Sequence, residues 1–171
     1  MPITNFVAGQ TLTAADLNRY LMQQAHVIKP GIESVTSSTT PQNDDHLFLN
    51  VSANTDYWVQ AFIIYNGATA GDIQIGWTAP SGSTFDWVSD GLSTAATTST
   101  DEVSRTAQGL TNLPNVGAVG SGNNCTVSPK GLLRVGANSG VLRFRWAQAV
   151  SSATATQVTT NSFLMARRLT Y

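Results

Sequence analysis

His26 and His46 are the only imidazole bases among the 171 residues of this chain. Nucleophilic catalysis needs a nucleophile, a base and an orienting group in one place. His26 falls on an N-terminal helical pattern and His46 at a strand start, and no serine occupies a Gly-x-Ser-x-Gly elbow. Asp86, Asp90, Asp101 and Glu102 are the one acidic group gathered in a single region. Glycoside cleavage would need two carboxylates across a cleft, but these four surround a polar loop and read as solvated charges. They also lack the regular ligand spacing of a Ca²⁺ loop. Asn43-Asp44-Asp45-His46, after Pro41, reads as a turn rather than a metal site. Gly117-Ala118-Val119-Gly120-Ser121-Gly122 lacks the Lys-Ser/Thr ending and following helix of a phosphate loop, and reads as a flexible connection. Trp58, Trp77, Trp87 and Trp146 could stack on sugars, yet three alternate with inward-facing residues and read as core. Cys125, the lone cysteine, reads as a small buried hydrophobe. No catalytic, cofactor-binding or metal-ligating residue is named, and the expectation is a non-enzymatic protein.

The elements that would position these residues are mostly strands. Asp56–Tyr65 is the longest apolar run and reads as a central strand buried on both faces. Asp72–Thr78 alternates, with Ile73, Ile75 and Trp77 facing one way. Ser83–Val88 places Phe85 and Trp87 on one face. In Gly140–Gln148, Leu142, Phe144 and Trp146 point inward, while Val141, Arg143 and Arg145 point outward. Further strands are expected at Ile32–Ser38, His46–Val51, Lys130–Val135, Gln157–Thr160 and Ser162–Leu169, with one more in Asp101–Gln108. Residues 90–124 otherwise read as a long polar loop, a length that compact domains reserve for a purpose. Eight or nine short strands without helix alternation predict a jelly-roll-like antiparallel β-sandwich over residues 31–171.

Residues 1–30 read differently. Thr13 suits an N-cap, and Ala14, Leu17, Leu21, Ala25 and Ile28 follow at helical spacing until Pro30-Gly31. A helix of about fifteen residues is marginal alone in water, so its apolar stripe must be covered. The expected assembly interface comprises Phe6, Leu12, Leu17, Tyr20, Leu21, Met22 and Ile28. The covering surface is its own sandwich, another copy of the chain, or a groove on another protein.

Composition limits the partners. Charged residues make up 11% and hydrophobic ones 42%, with a net charge of −1. A charged share under half the usual roughly 25% makes the surface cheaper to desolvate and permits broad protein contacts. Near-zero net charge offers no electrostatic footprint for nucleic acid. No run approaches the ~18 apolar residues of a membrane helix, and no basic region with an apolar run opens the chain. A soluble protein made in a cytoplasm is expected.

Phe6-Val7-Ala8-Gly9-Gln10-Thr11-Leu12-Thr13-Ala14-Ala15-Asp16-Leu17-Asn18 resembles the opening of many bacteriophage virion proteins, among them tail-fibre, minor tail and head-appendage components. Tyr20-Leu21-Met22-Gln23-Gln24-Ala25 resembles the version found in actinobacterial phages. Trp58–Tyr65, Asp72–Pro80, Trp146-Ala147-Gln148 and Ser162-Phe163-Leu164 are similar to small β-sandwich proteins of such phages. The resemblance implies a homo-oligomer, most often a trimer, built into a virion with other phage proteins. It favours the tail, with a capsid decoration or head fibre as the alternative. A module binding host-surface glycan is the alternative from another class, motivated by the tryptophans and the polar loop.

Overall fold

Period-two alternation sends apolar side chains to one face of an extended segment, and such segments must pair and pack to bury it. The computed structural model describes residues 7–14, 24–98 and 102–169. Fifteen strands lie among them. They are β1 (Gln24–Ile28), β2 (Glu33–Val35), β3 (Gln42–Val51), β4 (Asp56–Gly67), β5 (Ile73–Thr78), β6 (Thr84–Val88), β7 (Gly91–Leu92) and β8 (Val103–Ser104). Then come β9 (Ala107–Gln108), β10 (Asn115–Val116), β11 (Gly120–Val127), β12 (Lys130–Arg134), β13 (Gly140–Gln148), β14 (Thr156–Val158) and β15 (Phe163–Arg168).

The strands form two antiparallel sheets. The first follows the order β8-β7-β11-β4-β12-β6-β9, with β15, β14, β1 and β2 attached beside it. The second is β10-β5-β13-β3. The long strand β4 organises the first sheet. Its opening half pairs with β12 on one side and β15 on the other, and its closing half with β11 and β14.

The two sheets share one core. Val59, Ala61, Ile63 and Tyr65 of β4 are buried together with Ile75 and Trp77 of β5 and Phe144 and Trp146 of β13. Trp77 joins the layers: its ring lies 5.5 Å from Phe85 and 6.2 Å from Trp87, both on β6, and 5.4 Å from Phe144. All three contacts are edge-on, the arrangement that sets a ring's positive edge against a negative face.

The two-sheet antiparallel β architecture agrees with the sequence reading, and β13 occupies the expected residues. Several expectations are corrected. The helical spacing runs on to Ala25 and Ile28, but Gln24–Ile28 is an edge strand paired with β15. Hydrogen bonding to a ready sheet edge overrides the weak intrinsic preference of so short a segment. The expected helix residues 15–23 lie outside the described residues. Strand β4 is buried on one face; the other, with Trp58, Gln60, Phe62 and Ile64, is only part-covered. Asn43–His46 is not a turn but part of β3. The proposed flexible Gly120-Ser121-Gly122 opens β11. The expected strand within 101–108 is two short pieces, β8 and β9.

Candidate functional site

A buried ionic cluster lies where β1, β2 and β3 meet. Lys29 follows β1, and its backbone is held by the turn before β15: its N–H donates to Ser162 O at 2.8 Å and its carbonyl accepts from Asn161 N–H at 3.1 Å. That anchorage turns the Lys29 side chain inward, where it is fully buried. Its ammonium donates to both Asp44 oxygens, at 2.8 Å for Oδ1 and 2.7 Å for Oδ2, and also to Glu33 Oε2. His46 Nδ1 lies 3.4 Å from Lys29 Nζ.

Asp44 reaches the interior through an irregularity in β3. Arg143 of β13 faces Phe48, but Arg145, two residues on, faces Asn43, five residues back. The extra residues form a bulge, a device that re-aims side chains. In the bulge, Asp44 Oδ1 accepts the N–H groups of His46 at 3.0 Å and Leu47 at 2.9 Å. Oδ2 accepts Trp146 Nε1–H at 3.2 Å from the facing strand. Glu33 adds a further tie by accepting the Asp45 N–H at 3.2 Å.

These contacts split the two carboxyls. Burial pushes Glu33 above its ordinary range; the Lys29 hydrogen bond opposes this, and neighbouring Asp44 reinforces it. Burial would also raise Asp44, but the Lys29 hydrogen bond, the two backbone N–H groups and Glu33 outweigh it and hold the group low. The pair is therefore asymmetric, with Asp44 carrying the charge and Glu33 placed to hold a proton.

Glu33, Asp44 and His46 bring three ligand atoms within 4.8 Å of one another. Lys29 Nζ already fills the cationic position among them, so a metal would have to displace a buried ammonium. Sequence reasoning overlooked Lys29 and Glu33 and misplaced Asp44. Counting back in twos from inward Leu47 makes Asp45 inward; only the bulge shifts that parity to Asp44.

A second feature is the outer face of the first sheet. Neighbouring strands align Ile28 with Phe163, and Phe163 with Phe62. Arg167 aligns with Trp58, and Trp58 with Leu132. Phe62 and Phe163 stack with ring centroids 6.2 Å apart. Trp58 is 39% and Ile28 59% exposed, so this row of apolar side chains faces outward.

Of the expected interface residues, Leu12 is 42% exposed and Ile28 ends β1 at the margin of this face. Phe6, Leu17, Tyr20, Leu21 and Met22 lie outside the described residues. Residues 7–14 are exposed throughout. Trp77, Trp87 and Trp146 are buried, which leaves only Trp58 of the four tryptophans for a sugar platform. His26 lies on β1 of the first sheet and His46 on β3 of the second, and no serine nucleophile is joined to either among the described hydrogen bonds. Asp90 caps an open 310 Å³ hollow near β7, β8 and β11. There it is paired with Arg105 and Lys130, each at 2.8 Å. Asp86 instead pairs with Arg134 at 3.0 Å, so these two acids serve separate surface ion pairs. No described helix is long and apolar enough to cross a membrane.

No protein-family model matches the chain, and no curated protein matches it. Among solved structures, the tripod (BppUct-A-L) from the baseplate of bacteriophage Tuc2009 is similar over 97% of this chain and 73% of that one, at 11% identity and a TM-score of 0.39. Eiger TNF from S. frugiperda is similar over 86% of this chain and 92% of that one, at 12% identity and a TM-score of 0.38. The infectious bursal disease virus Gx strain structure is similar over 98% of this chain and 45% of that one, at 10% identity and a TM-score of 0.22. At scores this low the likenesses carry no argument about what the chain does.

Proposed function

We propose that this chain is a non-enzymatic structural component of a tailed bacteriophage particle, a jelly-roll-like sandwich that self-associates as a trimer. In this reading residues 1–30 form the anchor, the tail is the preferred location, and a capsid decoration or head fibre is the alternative. The protein would reach the virion by assembly in the host cytoplasm. The resemblance of Phe6–Asn18 to virion protein openings supports the phage setting. The observation that carries self-association is the outward apolar row Ile28–Phe163–Phe62 with Trp58 and Leu132. A symmetric assembly covers such a face with its own copy. The row also starts at Ile28, the last residue of the strand that the arm leads into, so arm and face would be used together.

The test is a phage carrying a deletion of residues 1–23, which spares β1 and Lys29. The truncated protein is expected to fold, because β1 to β15 remain, and to be absent from purified particles. Normal incorporation of the truncated protein would rule the anchor out. Sedimentation of the wild-type protein should give a trimer, and Phe163→Glu should shift it to monomer. A monomeric wild type at micromolar concentration refutes self-association through this face.

A further inference from the structure

We propose that Lys29 and Asp44 join spontaneously through an amide bond between Lys29 Nζ and Asp44 Cγ, with Glu33 carrying the proton between them. The proposal needs neither the virion setting nor any partner. It rests on four placements that occur together in one buried spot.

The first is proximity. Nζ lies 2.8 and 2.7 Å from the two Asp44 oxygens. With a C–O bond of about 1.23 Å, Cγ is then within about 3.2 Å, inside the near-attack range of about 3–3.5 Å. The second is dryness: both side chains are fully buried, and water is kept from competing with the amine. The third is a pair of fixed donors. The N–H groups of His46 and Leu47, at 3.0 and 2.9 Å, both point at Oδ1. An oxygen that gains negative charge when Cγ becomes tetrahedral is stabilised by such preorganised donors. The fourth is a proton relay. Glu33 Oε2 touches Nζ directly and also interacts with the Asp44 carboxyl.

The step balances without any co-reactant. As ammonium and carboxylate the pair is inert, because the nitrogen lone pair is occupied. Glu33 gives the proton it holds to Asp44 Oδ2 and takes one from Nζ, which leaves a neutral amine facing a carboxylic acid. Hydrogen bonds hold Asp44 charged at rest, and burial, which penalises both ions, narrows the gap to this neutral pair. The Nζ lone pair then forms the N–C bond, and Oδ1 holds the developing charge. A second Nζ proton passes through Glu33 to Oδ2. The Cγ–Oδ2 bond breaks with its electron pair and water leaves. One N–C bond replaces one C–O bond, and nothing is oxidised or reduced. The product ties the chain just after β1 to the bulge of β3, so a pull on the N-terminal arm that stripped β1 from β15 would stop at Lys29 and load β3.

The experiment is intact-mass measurement of the purified full chain, followed by cleavage after Glu33 under denaturing conditions. Wild-type protein is expected one water lighter than its sequence mass, with the Lys29 and Asp44 peptides still joined. Lys29→Arg, which keeps the buried cation, is expected at full mass with separate peptides; Glu33→Gln, which removes the cleavage site, is read by intact mass alone and is expected at full mass. Asp44→Asn should lose ammonia and give the same cross-linked product. A wild-type protein of full mass overturns the proposal. So does a lost water that maps elsewhere, such as a cyclised Asp90-Gly91. A Glu33→Gln protein that still cross-links overturns the proton-carrying role of Glu33.

Discussion

At the scale of single residues, burial decides what each charge can do. Lys29 and Asp44 lie in a dry interior, where removing one partner strands the other. Lys29→Ala is expected to destabilise the fold by about 3–5 kcal/mol, the usual cost of an orphaned buried charge, as read from a urea midpoint. Lys29→Met combined with Asp44→Leu should recover the part of that loss that comes from the stranded carboxylate, since an apolar pair of similar volume has no desolvation cost. Asp90 is a different case. Hydrogen bonds from Lys130 and Arg105 hold its carboxyl below the ordinary Asp value, against a smaller effect of burial. A depressed folded value means that its contribution is fully present above the unfolded value. It is then lost as pH falls through the folded one. Stability below about pH 4 should therefore fall less steeply in Asp90→Asn than in wild type, in urea titrations across that window.

At the scale of elements, close backbone approach limits what the strands tolerate. Gly131 of β12 sits opposite Trp87 of β6 and Val59 of β4. A Cβ there would lie 2.2 Å from Asp86 O and 2.5 Å from Trp87 Cα. Both are backbone atoms and cannot swing aside, so β6 and β12 would have to separate. Gly131→Ala is expected to cost about 1–3 kcal/mol, in the range of overpacked cores, measured by chemical denaturation. Strand β1 gives a second test at this scale. Deleting residues 1–23 removes no described strand, whereas deleting 1–30 removes β1 and the cation that Asp44 requires. The longer deletion should melt clearly below the shorter one, by calorimetry.

For the whole molecule, low charge and an apolar outer sheet face point the same way. Wide, weakly charged surfaces lose little on desolvation. An assembly built on Ile28, Phe62, Phe163, Trp58 and Leu132 should depend little on ionic strength, because screening acts on charges. The trimer–monomer midpoint is expected to move less than threefold, or about 0.65 kcal/mol, between low and high salt. Sedimentation at the two ionic strengths measures it, and strong salt sensitivity would point to an interface made elsewhere.

Local patterning carried the strands. Ile73, Ile75, Trp77, Leu142, Phe144 and Trp146 alternate so plainly that their inward faces were readable without coordinates, and all six are buried. Cys125, read as a buried hydrophobe, is buried as well. The ionic cluster was not legible in the same way. Lys29, Glu33 and Asp44 belong to three segments whose meeting depends on β1 adding to the edge of β15 and on a bulge in β3. Neither event leaves a local mark, since an edge strand resembles a short helix in so few residues and a bulge reverses the side-chain parity that sequence reading relies on. Periodicity reports which side of a segment is apolar; which segments become neighbours is a long-range outcome of sheet pairing, and only the folded chain decided it.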